Sequence, residues 1–279
     1  MTGGGSAVIG FDFQGRRYLV TGVMNRESIA WHVAAALQEA GAEVVLSSYG
    51  RAARITRKAA ALLPSPPDVL ELDVTDEAGF AGIAEELGRR WGALDGVLHS
   101  VAHAPPDAVG GRFLDTPAPS ALRGFEISAY SLQRLAASLA PLLTAGGRGG
   151  SVVGITVDSA RGLPGYDWMG VFKASLEAVA RYLALHLGPS GVRVNLVAAG
   201  PLETLSARGI STFDALADHY ERWAPLGWDR ADPRQVVGAV LFLLSDLARH
   251  TTGQVVHADG GLHAVVGGIG EPPNRSSPG

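Results

Sequence analysis

The stretch Arg17-Tyr18-Leu19-Val20-Thr21-Gly22-Val23-Met24-Asn25-Arg26-Glu27-Ser28-Ile29-Ala30 decides the fold. Its first five residues form a short apolar run ended by Gly22, which reads as a buried strand. Ser28 is placed to cap a helix, and Ile29, Val33, Ala36, Leu37 and Ala40 recur at helical spacing until Gly41 stops it. The same alternation repeats along the chain. Further strands are expected at Glu43–Ser47, Val69–Asp73, Gly96–Ser100, Ser151–Ile155, Val192–Val197 and Gln254–Ala258. Helices are expected from about Ala78 to Trp91, from about Ser120 to Leu143, and through Lys173 to about Leu187. Strands that are apolar on both faces and alternate with helices imply a parallel sheet covered on both sides. The expected fold is therefore α/β, a doubly wound seven-stranded parallel sheet of Rossmann type in a single domain.

The 279 residues suit one such domain, expected over 13–266, with residues 1–12 and 267–279 read as flexible Gly-, Pro- and Ser-rich ends. The composition is 47% hydrophobic and 18% charged, enough for a large core. A formal net charge of -4 offers no basic footprint for nucleic acid or for anionic lipid. No cysteine is present, which excludes disulfides and thiolate chemistry. No metal-ligand cluster stands out, and His99 and His103 read as structural. The start lacks the pattern of a signal peptide, and no apolar run approaches ~18 residues. A cytoplasmic location is the expectation.

In a doubly wound sheet the ligand lies beyond the carboxyl ends of the strands. Four strand ends carry suitable residues. Gly22 permits a tight turn, and backbone N–H groups at the next helix can hold a pyrophosphate. The later glycines of G-x-G-x-x-G are missing, so this turn alone is equally a plain strand-to-helix connection. Asp73 can accept from an adenine amino group or cap the following segment. Ser100, Val101 and Ala102 are small enough for a dinucleotide to lie flat. The Gly200-Pro201 turn before Leu202 and Thr204 exposes backbone groups that could meet a carboxamide. Tyr49 ends the second strand and suits NADH by stacking. A 2′-phosphate would need Arg51, Arg54 or Lys58 to bend in. NADH is favoured and NADPH is possible.

The sharpest local feature is Pro164-Gly165-Tyr166-Asp167-Trp168-Met169-Gly170-Val171-Phe172-Lys173. Tyr166 and Lys173 lie two helical turns apart and can point the same way. Free tyrosine and lysine titrate near ~10 and ~10.4. A nearby ammonium would favour the phenolate and sharpen the phenol as a proton donor. The same lysine can hold ribose hydroxyls. By spacing alone, an interfacial Tyr and an exposed helical Lys are also compatible.

With these residues in view, the chain resembles the enoyl-acyl-carrier-protein reductases of bacterial fatty-acid synthesis, and especially the actinobacterial ones. They form a divergent branch of the short-chain dehydrogenase/reductase superfamily. The likeness runs from Phe13 to about Val266. Ordinary superfamily members space Tyr and Lys four apart; this branch spaces them seven apart, as Tyr166 and Lys173 are. The turn Gly22 to Ile29, Leu70–Val74, His99-Ser100, Ala174–Glu177, Ala198–Pro201 with Thr204-Leu205, and Ala258–Gly261 also match.

The resemblance implies that Gly22, Val23, Ser28 and Ile29 line the pyrophosphate and ribose, and that Asp73 and Val74 contact adenine. Ser100, Val101 and Ala102 would pass beneath ribose and phosphates, Ile155 would border the cofactor, and Lys173 would bind the nicotinamide ribose. Leu202 would meet the carboxamide and Thr204 a phosphate. Tyr166 would hydrogen-bond a thioester carbonyl as hydride reaches the β-carbon of an enoyl thioester carried on acyl carrier protein or coenzyme A. Val157, Met169 and Leu205 would border the substrate, and 205–224 would form a lid. A homotetramer is implied, with Leu135–Leu143, Val236–Leu244 and Leu262–Val266 as candidate interfaces.

One departure stands out. Relatives carry a second aromatic about nine residues before the catalytic Tyr, and here that place is Val157. A relative recruited to a specialised-metabolite pathway, acting on a non-standard substrate, is the first alternative. A dinucleotide-binding sensor without catalysis is the second.

Overall fold

The computed structural model describes residues 11–205, 207–269 and 271–272. Most of the two ends expected to be flexible, 1–10 and 273–279, lies outside the described residues. Seven parallel strands form one sheet in the order β3-β2-β1-β4-β5-β6-β7. They are β1 (Arg17–Thr21), β2 (Glu43–Ser48), β3 (Val69–Glu71), β4 (Gly96–His99), β5 (Ser151–Thr156), β6 (Arg193–Ala199) and β7 (Val255–Ala258). The order reverses at β1, between β2 and β4, which opens the crevice characteristic of such sheets.

Helices cover both faces. On one lie α1 (Ile29–Glu39), α2 (Gly50–Ala60), α7 (Phe213–Trp223) and α8 (Arg234–Leu244). Val33 and Leu37 of α1 and Val240 and Leu243 of α8 are buried there with Val20 and Leu46 of the sheet. On the other lie α3 (Glu77–Trp91), α5 (Ser131–Ala145) and α6 (Trp168–Leu187), where Leu87, Leu135, Leu139 and Leu176 meet Leu19, Val97 and Val152. The five inner strands thus bury apolar side chains on both faces, while the edge strands β3 and β7 are only partly buried.

Several expectations are corrected. The helix expected from Ser120 to Leu143 is α4 (Ala118–Phe125), a π-turn over Glu126–Tyr130, and α5. α2 falls outside the expected elements; it carries four basic residues, and its apolar ones are four Ala and a single Ile. Ser28 occupies the position before α1, but its side chain bonds no N–H of that helix. It accepts instead from Met24 N and Asn25 N, each at 3.1 Å, and so folds the preceding turn. The apolar runs of α5 and α8 proposed as interfaces are largely spent inside this chain. Leu135, Leu139, Val236, Val240, Leu243 and Leu244 are all buried in its core. No described helix is long and apolar enough to cross a membrane.

One ion pair ties the start of β1 to the end of α8. Arg16 donates to both oxygens of Asp246, at 3.1 and 2.6 Å, and is itself 8% exposed. The guanidinium holds the Asp246 carboxyl below its ordinary range. The pair therefore stabilises the fold above the pKa of an unfolded aspartate and loses that contribution as pH falls through the lowered folded value. Asp246→Asn is expected to cost about 1–2 kcal/mol at pH 7, a hydrogen-bonded charge discounted for the partial exposure of Asp246. Thermal melts should show a Tm lower by several degrees at pH 7, with the gap to wild type narrowing in acid.

Candidate active site

Gly22 ends β1 at φ +85°, a conformation that disfavours any other residue. A Cβ there would lie 1.9 Å from the carbonyl oxygen of Ser100. The residue thus has to be glycine because the ends of β1 and β4 touch. Thr21 stitches the same seam: its hydroxyl donates to Leu98 O at 3.0 Å and accepts from Ser100 N at 3.1 Å. The turn after β1 and the small residues after β4 are thereby brought side by side. Gly22, Met24, Ser28, Ile29, Ser100, Val101, Ala102, Ile155, Lys173, Thr204 and Leu205 line one cleft.

A larger, mainly apolar cavity of about 460 Å³ continues from it, sharing Ile29, Ala102, Ile155, Lys173, Thr204 and Leu205. Val157, Tyr166, Met169 and Leu202 line this second space. The structure thus gathers most of the residues expected at the site. It does not gather Val23, Tyr49, Asp73 and Val74, which border neither cavity. Val23 and Val74 are core residues, 1% and 9% exposed. The Val23 carbonyl is taken by the Thr56 hydroxyl at 2.7 Å. One Asp73 oxygen accepts from both the N–H and the hydroxyl of Thr75, the local turn that was its other reading. Tyr49 stands exposed just before α2, and Arg51, Arg54 and Lys58 are exposed along that helix.

Tyr166 is not on a helix. It ends a tight turn that runs into α6, and Asp167 stands between them at φ 45° and ψ -121°. A non-glycine residue rarely holds that conformation unless its surroundings enforce it. Here the Asp167 carboxylate accepts from Gly111 N at 2.5 Å and Arg112 N at 3.1 Å, while Gly110 N donates to Gly165 O. On the other side the Thr212 hydroxyl donates to Pro164 O at 2.9 Å. The Tyr166 turn is clamped from both flanks. Motif spacing gave no sign of this clamp, since its partners lie 48–56 positions away.

The electrostatics differ from the expectation of a phenol acidified by lysine. Burial pushes the Tyr166 hydroxyl up from its ordinary value, and the nearby Tyr220 adds to that. Lys173 is not among the causes. Its Nζ donates to Ile155 O at 2.9 Å, facing the cleft, and burial brings its pKa down to about 8. An ammonium has three donors, so two remain for a ligand. Tyr166 stays a neutral donor at physiological pH, and the lysine belongs to the cleft.

Two serines of the π-turn region fix the floor. Ser128 Oγ donates to His103 O and accepts from His103 N, both at 2.8 Å. Ser131 Oγ donates to Ile127 O at 2.6 Å, so the 2.8 Å contact with His99 Nε2 requires the imidazole to donate. His99 is fully buried. Burial first, then the Lys173 charge, depress its pKa to about 3, and it remains neutral. π-turns of this kind often mark functional sites. No group of three or more His, Cys, Asp or Glu could hold a metal among the described residues.

A parallel sheet with a small-residue cleft and a buried lysine at its carboxyl edge defines a Rossmann-type dinucleotide-binding protein. The model of the family described as Enoyl-(Acyl carrier protein) reductase matches residues 22–263. The chain belongs to that family. It is 40% identical to an enoyl-acyl-carrier-protein reductase [NADH] of Mycolicibacterium smegmatis, over 89% of this chain and 96% of the relative. It is 37% identical to the NADH-named reductase of Bacillus subtilis, over 92% and 99%. It is 36% identical to an NADPH-named reductase of Staphylococcus aureus, over 91% and 99%.

The seam at Gly22 can be tested directly. Gly22→Ala is expected to destabilise the protein and to weaken NADH binding at least tenfold by fluorescence titration. Gly15→Ala is the control: it carries the same sign of φ (+67°) with open space around it. It should incur only the backbone strain, about 1 kcal/mol, and bind NADH normally.

Proposed function

We propose that the protein is an NADH-dependent enoyl thioester reductase in which Tyr166 is the catalytic hydrogen-bond donor. One observation carries this reading: a buried, neutral phenol faces an apolar cavity that runs directly into the Lys173 cleft. The residues of the cleft fit a nicotinamide dinucleotide. Gly22, Met24, Ser28 and Ile29 border it on one side, Ser100, Val101 and Ala102 on the other, and Lys173 offers two donors to ribose hydroxyls. The bound cofactor supplies a hydride for the β-carbon of a conjugated thioester.

What the chain itself does is orient the acyl group and receive the charge. The Tyr166 hydroxyl donates to the thioester carbonyl oxygen and strengthens that bond as the oxygen becomes an enolate. A donor held in place beside a mainly apolar cavity incurs little reorganisation cost when the charge appears. Thr204 borders the cleft, and Leu202 lines the adjoining cavity, where its backbone would meet the carboxamide. Residues 205–224, of which Ser206 lies outside the described residues, act as the lid over the acyl group, with Phe213 and Leu216 of α7 lining the cavity. The acyl carrier is acyl carrier protein or coenzyme A.

NADH is favoured over NADPH by the names of most of the similar relatives. A cytoplasmic homotetramer completes the reading. Self-association is supported by an apolar groove over α5 and α6, lined by Phe125, Ala137, Val179, Tyr182 and Leu183, with Tyr182 67% exposed. Val157 in the cavity wall favours a second reading, in which the same chemistry serves a bulkier acyl group of specialised metabolism.

Mixing the protein with NADH and crotonyl-coenzyme A, or longer enoyl thioesters, should consume the nicotinamide absorbance. NADH binding without absorbance loss on any of them would sink the reading. Tyr166→Phe should lower kcat about 10²–10³-fold, the scale of one lost oxyanion donor, and leave the NADH Kd within about twofold.

Lys173 gives a pH signature. Cofactor oxygens favour its charged form, so binding takes up a proton once the free protein has passed its pKa of about 8. The NADH Kd should be flat below that value and rise above it, by at most ~10-fold per pH unit. Lys173→Met should bind more weakly at pH 7 and show no such rise.

A further inference from the structure

The large cavity holds a second phenol that the chemistry above leaves unused. Tyr220 lies on α7, two turns beyond Phe213 and on the same face, and both line the cavity. Its ring packs edge-on against Trp228, with centroids 6.3 Å apart at 63°, and the Trp228 indole N–H donates to Pro201 O at 2.7 Å. Only 7% of Tyr220 is exposed. Among the described residues its hydroxyl has no hydrogen-bonding partner, and neither has that of Tyr166. Neither hydroxyl oxygen is itself buried, so each is open to the cavity that its residue lines, where a bound group can meet it.

Three further facts bear on this residue. Tyr220 is the one charged-state neighbour that perturbs Tyr166, which places the two phenols within electrostatic reach. Burial, followed by Asp259 and Asp158, pushes Tyr220 up to about 12, so it too is a neutral donor. Val157 brings only a small aliphatic side chain to the wall, which leaves the space in front of Tyr166 and Tyr220 open.

We propose that Tyr220 is a second catalytic residue of this protein, donating a hydrogen bond with Tyr166 to the thioester oxygen on which negative charge develops. The inference rests on the enoyl-reductase reading. Two donors on one oxygen divide the charge between them, so each strengthens in the transition state, and removing either lowers kcat rather than only raising KM.

Tyr220→Phe keeps the ring on Trp228 and removes only the hydroxyl, so its Tm and NADH Kd should match wild type. With NADH and crotonyl-coenzyme A its kcat should fall about 10–100-fold. The double variant with Tyr166→Phe should lose less than the product of the two single losses, because both donors serve one oxygen. A purely structural role would give independent, multiplicative losses. An unchanged kcat, whatever happens to KM, overturns the proposal.

A second arm separates this outcome from failure of the functional reading. Crotonyl-coenzyme A is titrated in the presence of NAD⁺, where reduction cannot occur. Weaker binding by Tyr220→Phe, by about 3–10-fold, supports contact with the thioester even if wild type proves unable to reduce it. Equal binding by wild type and variant counts against Tyr220 even if wild type reduces it well.

Discussion

Gly22 meets the backbone of Ser100 at the carboxyl ends of β1 and β4, and the rest of the site depends on that contact. With no Cβ between them, the turn after β1 and the segment after β4 lie against each other, sealed by the Thr21 hydroxyl. The switch in strand order makes this the only seam of the sheet where two crossovers leave in opposite directions. A cleft opens there for geometric reasons before any chemistry is added. The π-turn serves the same seam, because Ser128 and Ser131 hold His103 and His99 on either side of Ser100. These hydrogen bonds tie the segment after β4 to the π-turn.

On the opposite wall, the two residues at seven-residue spacing divide their work. Lys173 reaches Ile155 O and the cleft. Tyr166 reaches the apolar cavity from a turn that Asp167, Gly110 and Thr212 hold in place. Burial acts on both, in opposite directions, because it always disfavours the charged form. It lowers the lysine and raises the phenol, so the phenol is kept as a neutral donor. A neutral donor suits an oxygen that gains charge during the reaction better than a phenolate would.

Tyr220 extends the same logic across the cavity. It arrives on α7, from a segment whose helical pattern reads equally as ordinary packing, and its ring does pack in the first core cluster. The same residue also lines the cavity. Residues that serve both a core and a site are the hardest to find by pattern, since the packing role alone accounts for their spacing.

Much of this architecture was legible in the sequence. Short apolar runs alternating with helical patterns located all seven strands, because the strands of a sheet covered on both sides are largely apolar. The residues just after those strands, Gly22, Ser100, Ala102 and Thr204 among them, marked the cleft, because a doubly wound sheet binds at its carboxyl edge. Tyr166 and Lys173 were singled out by spacing and resemblance. What the sequence could not carry was anything that depends on contacts between distant segments. Ser28 was read as a helix cap and instead folds the turn before it. Tyr166 was read on a helix and sits in a clamped turn. Lys173 by spacing is the group that acidifies the phenol, whereas both line one cavity and burial raises the phenol instead. Periodicity reports which face of an element is buried. Burial depth, side-chain direction and the partners of a strained residue such as Asp167 exist only once the segments have met.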